Sequence, residues 1–210
     1  RQMCIRDRIV LAGAGINLER YKMQPYPKHT RIHFLYLGRI MKEKGIDELF
    51  YAVRHLKKEN ENFVLDLVGF FEDEYKEQVK ELEKHSIAHF YGFQSDPRPF
   101  YIEADCVVLP SYHEGMSNVL LEAAATGRPV ITSNIPGCRE SVENGKSGLL
   151  VEVKNKEMLY DAMKEMLHCS REEREQMGQA GREKMEREFR KEVVVEKTVQ
   201  SLREDEKRDF

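Results

Sequence analysis

A chain of 210 residues, 40% hydrophobic and 34% charged, carries enough apolar material for one sizeable core, alone or with a helical appendage. Its 34 basic and 37 acidic side chains nearly cancel to a formal charge of -3, which excludes a nucleic-acid footprint and an overall polybasic membrane surface. No apolar run reaches the roughly 18 to 20 residues of a membrane span, the start has no signal-peptide core, and any anionic ligand must be met locally.

The first eight residues, RQMCIRDR, are a charged mixture without Met at position 1 that runs straight into the apolar IVLAGAGI. Residues 1–8 read as a non-native leader and the chain as a fragment. Gly13 and Gly15 form a lone GxG, read as part of a linker over residues 9–30 rather than as a dinucleotide site. From Arg31 short apolar runs alternate with longer amphipathic ones: RIHFLYLG and IDELFYAVRHLKKEN, FVLDLVG and DEYKEQVKELEKH, IAHFYG and DPRPFYIEA, DCVVLP and NVLLEAAATG, then PVITS. Ile46, Leu49, Phe50, Val53 and Leu56 recur at helical spacing, whereas the apolar runs are short and continuous, as in strands buried on both faces. The alternation predicts an α/β domain over residues 31–190, a parallel sheet with helices on both faces.

After the turn ENGKSG and a strand LLVEV the chain becomes helical, as KEMLYDAMKEMLHC, REEREQMGQAGREKMEREF and KEVVVEKTVQSLRE. The charge runs there read as solvated faces. The last segment, 191–210, is an amphipathic helix with Val195, Val199 and Leu202 on one side. Cys4, Cys106, Cys138 and Cys169 lack CxxC spacing. Cys106, inside DCVVLP, reads as a buried reduced thiol, which favours a reducing cytosol.

Each strand ends in a loop suited to binding: GRIMKEKG, GFFEDE, GFQSDP, PSYHEG and SNIPG. Ligands of open parallel sheets sit outside the carboxyl ends of the strands, so these loops converge on one candidate site. Gly69 taken alone reads as a plain turn. In SYHEGMSNVLLEAAATGRPV, Glu114 and Glu122 stand eight positions apart across a predicted helix start. Ser117 or Asn118 is a natural cap, the first N–H groups of the helix form an anion site, and Gly115 lets a ligand approach the backbone. The carboxylates, about 12 Å apart by helical rise, can flank an anion without touching it. Gly38 lets Arg39 emerge beside Lys44, a planar fork and a point charge that together suit two phosphoryl groups. Lys42 and Glu43 read as surface residues, and the P-loop pattern does not occur. A diphosphate with hydroxyl-rich groups at both ends, a nucleotide sugar, satisfies these features.

GRIMKEKG followed by SYHEGMSNVLLEAAATGRPVITSNIPGCRESVENGKSGLLV resembles the C-terminal nucleotide-sugar-binding domain of family 4 glycosyltransferases of the GT-B fold, from Ile9 to the last helices. The resemblance implies a Rossmann-like domain, one half of a GT-B architecture. It is most similar to bacterial transferases that build capsular, exopolysaccharide or lipid-linked glycans. It also implies that Arg39 and Lys44 hold the diphosphate, and that Glu114, the catalytic candidate, binds the donor sugar hydroxyls. Gly115, Met116, Ser117, Asn118 and Val119 would contact phosphate and sugar through the backbone, Glu122 the ribose, and Gly92 and Phe93 would lie by the base. His113 either touches the sugar or packs near the mouth; Arg139 and Glu140 either shape the cleft or cap the following helix.

Such enzymes are similar in retaining stereochemistry and in using no metal or other cofactor, the donor phosphate assisting acceptor deprotonation. The resemblance further implies a UDP-linked donor and a glycan or lipid-linked acceptor held by an N-terminal domain, against which the final helix packs. It places the enzyme in the cytoplasm, peripheral to the inner face of the plasma membrane, and makes residues 9–210 inactive alone. A glycoside hydrolase acting through Glu114 and Glu122 needs carboxylates about 5 to 9.5 Å apart and no phosphate clamp, so the spacing disfavours it. A GT-B sugar-nucleotide epimerase and an isolated nucleotide-binding module are the other readings.

Overall fold

The computed structural model describes residues 15–59 and 61–206, so the leader, Cys4 and Gly13 lie outside the described residues, as does the side chain of Leu202. Chain order is β1 (Ile32–Leu37), α1 (Ile46–Lys58), β2 (Phe63–Val68), α2 (Lys76–Lys84), β3 (Ala88–Phe90), α3 (Arg98–Glu103), β4 (Cys106–Leu109), α4 (Asn118–Ala125), β5 (Val130–Ser133) and β6 (Gly148–Val151). Then follow α5 (Lys156–His168), α6 (Arg171–Lys184), a π-helical turn Met185–Phe189 and α7 (Lys191–Glu206). The six strands are ordered β3-β2-β1-β4-β5-β6 and every pairing is parallel. This is a Rossmann-like doubly wound sheet, whose winding reverses between β1 and β4.

β2, β4 and β5 are buried along their whole length, which is why their sequences are continuous apolar runs. α1 buries the predicted stripe Ile46, Leu49, Phe50, Val53 and Leu56. β1 and β2 pair in register from Ile32↔Phe63 to Leu37↔Val68, so the glycines that close them, Gly38 and Gly69, lie side by side. Gly69 is more than a turn. With φ +148 it passes so close to β1 that a Cβ would stand 1.8 Å from the Gly38 carbonyl oxygen.

Three expectations are corrected. The helix expected from Asp73 starts at Lys76, because the Asp73 carboxylate accepts the Lys42 N–H at 2.8 Å and its carbonyl accepts the Tyr75 N–H at 2.9 Å. The helix expected over 171–189 ends in the π turn. The charges on it are not all solvated: Arg174 and Lys184 are buried. Arg174 donates to the carbonyls of Met166 and Cys169, closing the C-terminal end of α5, where cations meet unpaired carbonyls.

Arginines also bind the segment 15–30 to the domain. Fully buried Arg128 donates to Tyr101 and Ile102 oxygens at the end of α3, and to Pro25 oxygen, each at 2.9 Å. Arg182 donates to Tyr21 and Ala125 oxygens at 2.9 and 2.8 Å, and Arg171 to Tyr26 oxygen at 2.8 Å. Cys106 and Cys138 are buried free thiols, pushed up by burial, Cys138 to about 11. No described helix is long and apolar enough to cross a membrane.

Candidate functional site

The site is assembled at the reversal of the sheet by the loops after β1 and β4. Arg39 leaves β1 with its carbonyl accepting the Tyr36 hydroxyl at 2.5 Å. A single 3-10 turn, Lys42–Lys44, then ends at Gly45, whose φ of +72 favours glycine and where a Cβ would stand 2.1 Å from the Pro110 carbonyl oxygen. That close approach brings the two loops together and sets Lys44 beside Glu114. Lys44 Nζ lies 2.6 Å from Glu114 Oε1, which also accepts the Ser111 hydroxyl at 2.9 Å, and both ion-pair side chains are only 15% exposed.

The start of α4 faces the same space. Ser117 stands at the N-cap in an extended conformation but makes no side-chain cap. The first backbone N–H groups of α4 have no partner within the helix and constitute an anion-binding edge. The loop after β5 backs this edge: Ser117 N–H donates to Gly137 oxygen at 2.9 Å, and Glu140 accepts the Gly137 N–H at 2.8 Å. Glu140 thus braces the turn before the 3-10 helix Arg139–Ser141, while Arg139 is exposed.

Of the residues singled out in the sequence, Gly38, Arg39, Lys44, Glu114, Met116, Ser117, Asn118 and Val119 wall one cleft of about 280 Å³. An adjoining cavity of about 160 Å³ shares Leu37, Gly38 and Arg39 and adds Phe70, Phe93 and Gln94. Phe93 is 70% exposed and Phe70 47%, with their rings edge to face at 6.4 Å. Gly92 closes β3, its oxygen accepting the Gly69 N–H at 2.9 Å. Gly115 has open space where a Cβ would be. His113 is exposed and does not wall the cleft.

Glu122 is not on the cleft wall either. One turn beyond Asn118 on α4, it accepts the Tyr101 hydroxyl at 2.9 Å, with the Tyr21 phenol also directed to it. Burial raises its carboxyl above the ordinary value against these hydrogen bonds, while burial and Glu122 push Tyr21 up to about 12. The two glutamates therefore occupy separate environments, unlike an acid–base pair across one bond.

Two neighbours of the cleft escape the sequence reading. Phe70 follows the strand-closing Gly69, and its signal is a large apolar residue in a loop. Glu72, bonded to Arg39 at 2.8 and 3.1 Å, has none, because its partner is 33 positions away. A larger cavity, about 480 Å³, lies among Arg20, Tyr21, Asp96, Arg98 and Thr126, away from both sheet-edge loops that carry the cations. Volume does not make it the better site: Asp96 engages Arg98 at 2.6 and 2.7 Å, which holds its carboxyl down at about 2, and the start of α3 that lines the cavity is already closed by the same carboxylate, which accepts the Arg98 N–H at 3.2 Å.

The chain is similar in sequence and fold to known proteins. CapM of Staphylococcus aureus, a capsular polysaccharide biosynthesis glycosyltransferase, is 28% identical over 193 residues, 87% of this chain and 50% of its own length. The chain spans about half the length of the curated relatives it matches. Sucrose-phosphate synthase of Thermosynechococcus elongatus superposes with a TM-score of 0.76 at 26% identity, over 91% of this chain and 51% of the other. Anabaena HepE, solved with UDP and glucose, does so with a TM-score of 0.74 at 19% identity, over 90% of this chain and 55% of the other, a likeness of fold. The doubly wound sheet is that of GT-B glycosyltransferases, and with residues 19–184 matching the glycosyl transferases group 1, the chain belongs to that family.

Proposed function

We propose that the chain is the donor-binding half of a retaining glycosyltransferase of the family 4 type, which moves a sugar from a UDP-sugar to a cell-surface glycan or lipid-linked acceptor. One observation carries the reading: Arg39, Lys44, Glu114 and the uncapped start of α4 meet in one cleft at the reversal of the sheet. The diphosphate lies across the first N–H groups of α4 between Arg39 and Lys44. Glu114 turns from Lys44 to the sugar hydroxyls, Phe93 and Phe70 flank the base, and Glu122, one turn of α4 beyond the cleft wall, turns from Tyr101 to take the ribose. HepE's complex with UDP and glucose supports the donor class, and CapM's role in capsular polysaccharide biosynthesis supports the acceptor class.

In the transfer, the acceptor oxygen bonds the anomeric carbon on the face from which the phosphate oxygen departs. The acceptor proton passes to that departing oxygen. The work of this chain is electrostatic: Arg39, Lys44 and the α4 N–H groups stabilise charge growing on the leaving diphosphate, without a metal ion. The acceptor half and a peripheral position on the inner face of the plasma membrane belong to the same reading. Calorimetric titration tests it. UDP should bind the chain more tightly than uridine, with or without a chelator, and equal affinities for UDP and uridine would sink the phosphate assignment.

A further inference from the structure

Arg39 walls both parts of the cleft, yet its guanidinium is engaged by a residue that walls neither. One guanidinium nitrogen donates to both carboxylate oxygens of Glu72, at 2.8 and 3.1 Å. The two side chains come from the loops after β1 and β2 and are 48% and 42% exposed. Backbone bonds hold Glu72 in place: Ile40 N–H donates to Phe70 oxygen at 2.8 Å, and Glu72 N–H returns to Ile40 oxygen at 3.1 Å. The loops are therefore stitched whether or not the side chains pair.

A carboxylate and a phosphate ask for the same face of a guanidinium, and Arg39 cannot present it fully to both. Exposed pairs of this kind are weakly held, so the exchange is easy. We propose that Glu72 is a positioning residue for donor binding that acts through Arg39: it parks the guanidinium at the cleft and yields it to the diphosphate. Glu72 thereby sets affinity for the phosphates and leaves affinity for the nucleoside alone. The inference rests on the diphosphate reading of the cleft. Lys44 differs, since its partner Glu114 is itself a wall of the cleft.

The test is titration of the 210-residue chain with UDP and with uridine, in wild type, Glu72→Gln, Glu72→Ala, Arg39→Ala and the Arg39→Ala/Glu72→Gln double variant. Removing an exposed competitor should tighten UDP binding about two- to fivefold and leave uridine unchanged. The gain should vanish when Arg39 is already absent. Glu72→Ala should behave like Glu72→Gln, and neither should shift the melting temperature. Unchanged or weakened UDP binding in both Glu72 variants, or a gain that persists in full without Arg39, overturns the proposal while the diphosphate reading stands. A wild type that binds UDP no better than uridine overturns both.

Discussion

Arg39 and Lys44 come from one loop but are held differently, and the difference separates binding from stability. The Arg39 pair is about half exposed, whereas the Lys44 pair is 15% exposed on each side and shares its carboxylate with Ser111. An exposed ion pair contributes about 0 to 1 kcal/mol to folding. A charged hydrogen bond to a ligand is worth about 1.5 to 3 kcal/mol. Arg39→Ala should therefore weaken UDP about tenfold to a hundredfold and leave both uridine affinity and melting temperature almost unchanged. Equal losses for UDP and uridine on calorimetry would remove the phosphate role. On the proposed donor reading, the glutamates divide along the ligand. Glu122→Gln should weaken UDP and UDP-sugar alike, because ribose is common to both, whereas Glu114→Gln should chiefly reduce the extra affinity that the sugar adds. The opposite pattern would mean that the ligand lies the other way round.

At the scale of elements, β1 and β2 carry a pH-dependent tie away from the cleft. His33 Nδ1 lies 2.7 Å from Asp66 Oδ2, and that hydrogen bond, with the charges of Asp66 and Asp105 and against burial and Arg31, raises the imidazole above its ordinary 6.5. The folded chain then holds this proton more tightly than the unfolded one. The stabilisation is complete below 6.5 and fades as pH rises through the folded value. The gap in melting temperature between wild type and Asp66→Asn should be wider at about pH 5.5 than at about pH 8.5. An equal gap at both would sink the tie. Arg128 makes a different one: without its guanidinium the carbonyls of Pro25, Tyr101 and Ile102 lose a charged donor, so Arg128→Met should cost upward of about 3 kcal/mol in denaturant unfolding. A loss under about 1 kcal/mol would mean that water replaces it.

These elements also mark what the sequence could disclose. Periodicity exposes α1, and continuous apolar runs expose β2, β4 and β5, because each signal is local. The convergence of loops follows from parallel strands alone, which is how the Gly38 to Val119 cleft residues become visible together. The burial of Arg174 on α6 is not visible, since its partners, the Met166 and Cys169 oxygens, are carbonyls that any residue supplies. Glu72 is hidden for the same reason of distance along the chain, and the engagement of Glu122 by Tyr101 arises only when α3 packs beside α4.

For the molecule as a whole, the decisive quantity is how the acceptor hydroxyl reaches the anomeric carbon. Such positioning accounts for about 7 to 11 kcal/mol of barrier lowering, or at least a hundred-thousandfold in rate. On the proposed reading the described cleft holds the phosphates and sugar of the donor, and relatives such as CapM are about twice as long as the chain. α7 also leaves Val195 and Val199 53% and 40% exposed on one side, an apolar face of the kind that another domain covers. The 210-residue chain should therefore fold, bind UDP, and transfer sugar negligibly to any acceptor. Joined to a matching acceptor domain it should regain transfer, lose it again with Glu114→Ala, and bury the two valines, which solvent labelling of cysteines placed at 195 and 199 would report. Robust transfer by the purified chain alone, free of any longer enzyme, would show that the donor half positions the acceptor itself.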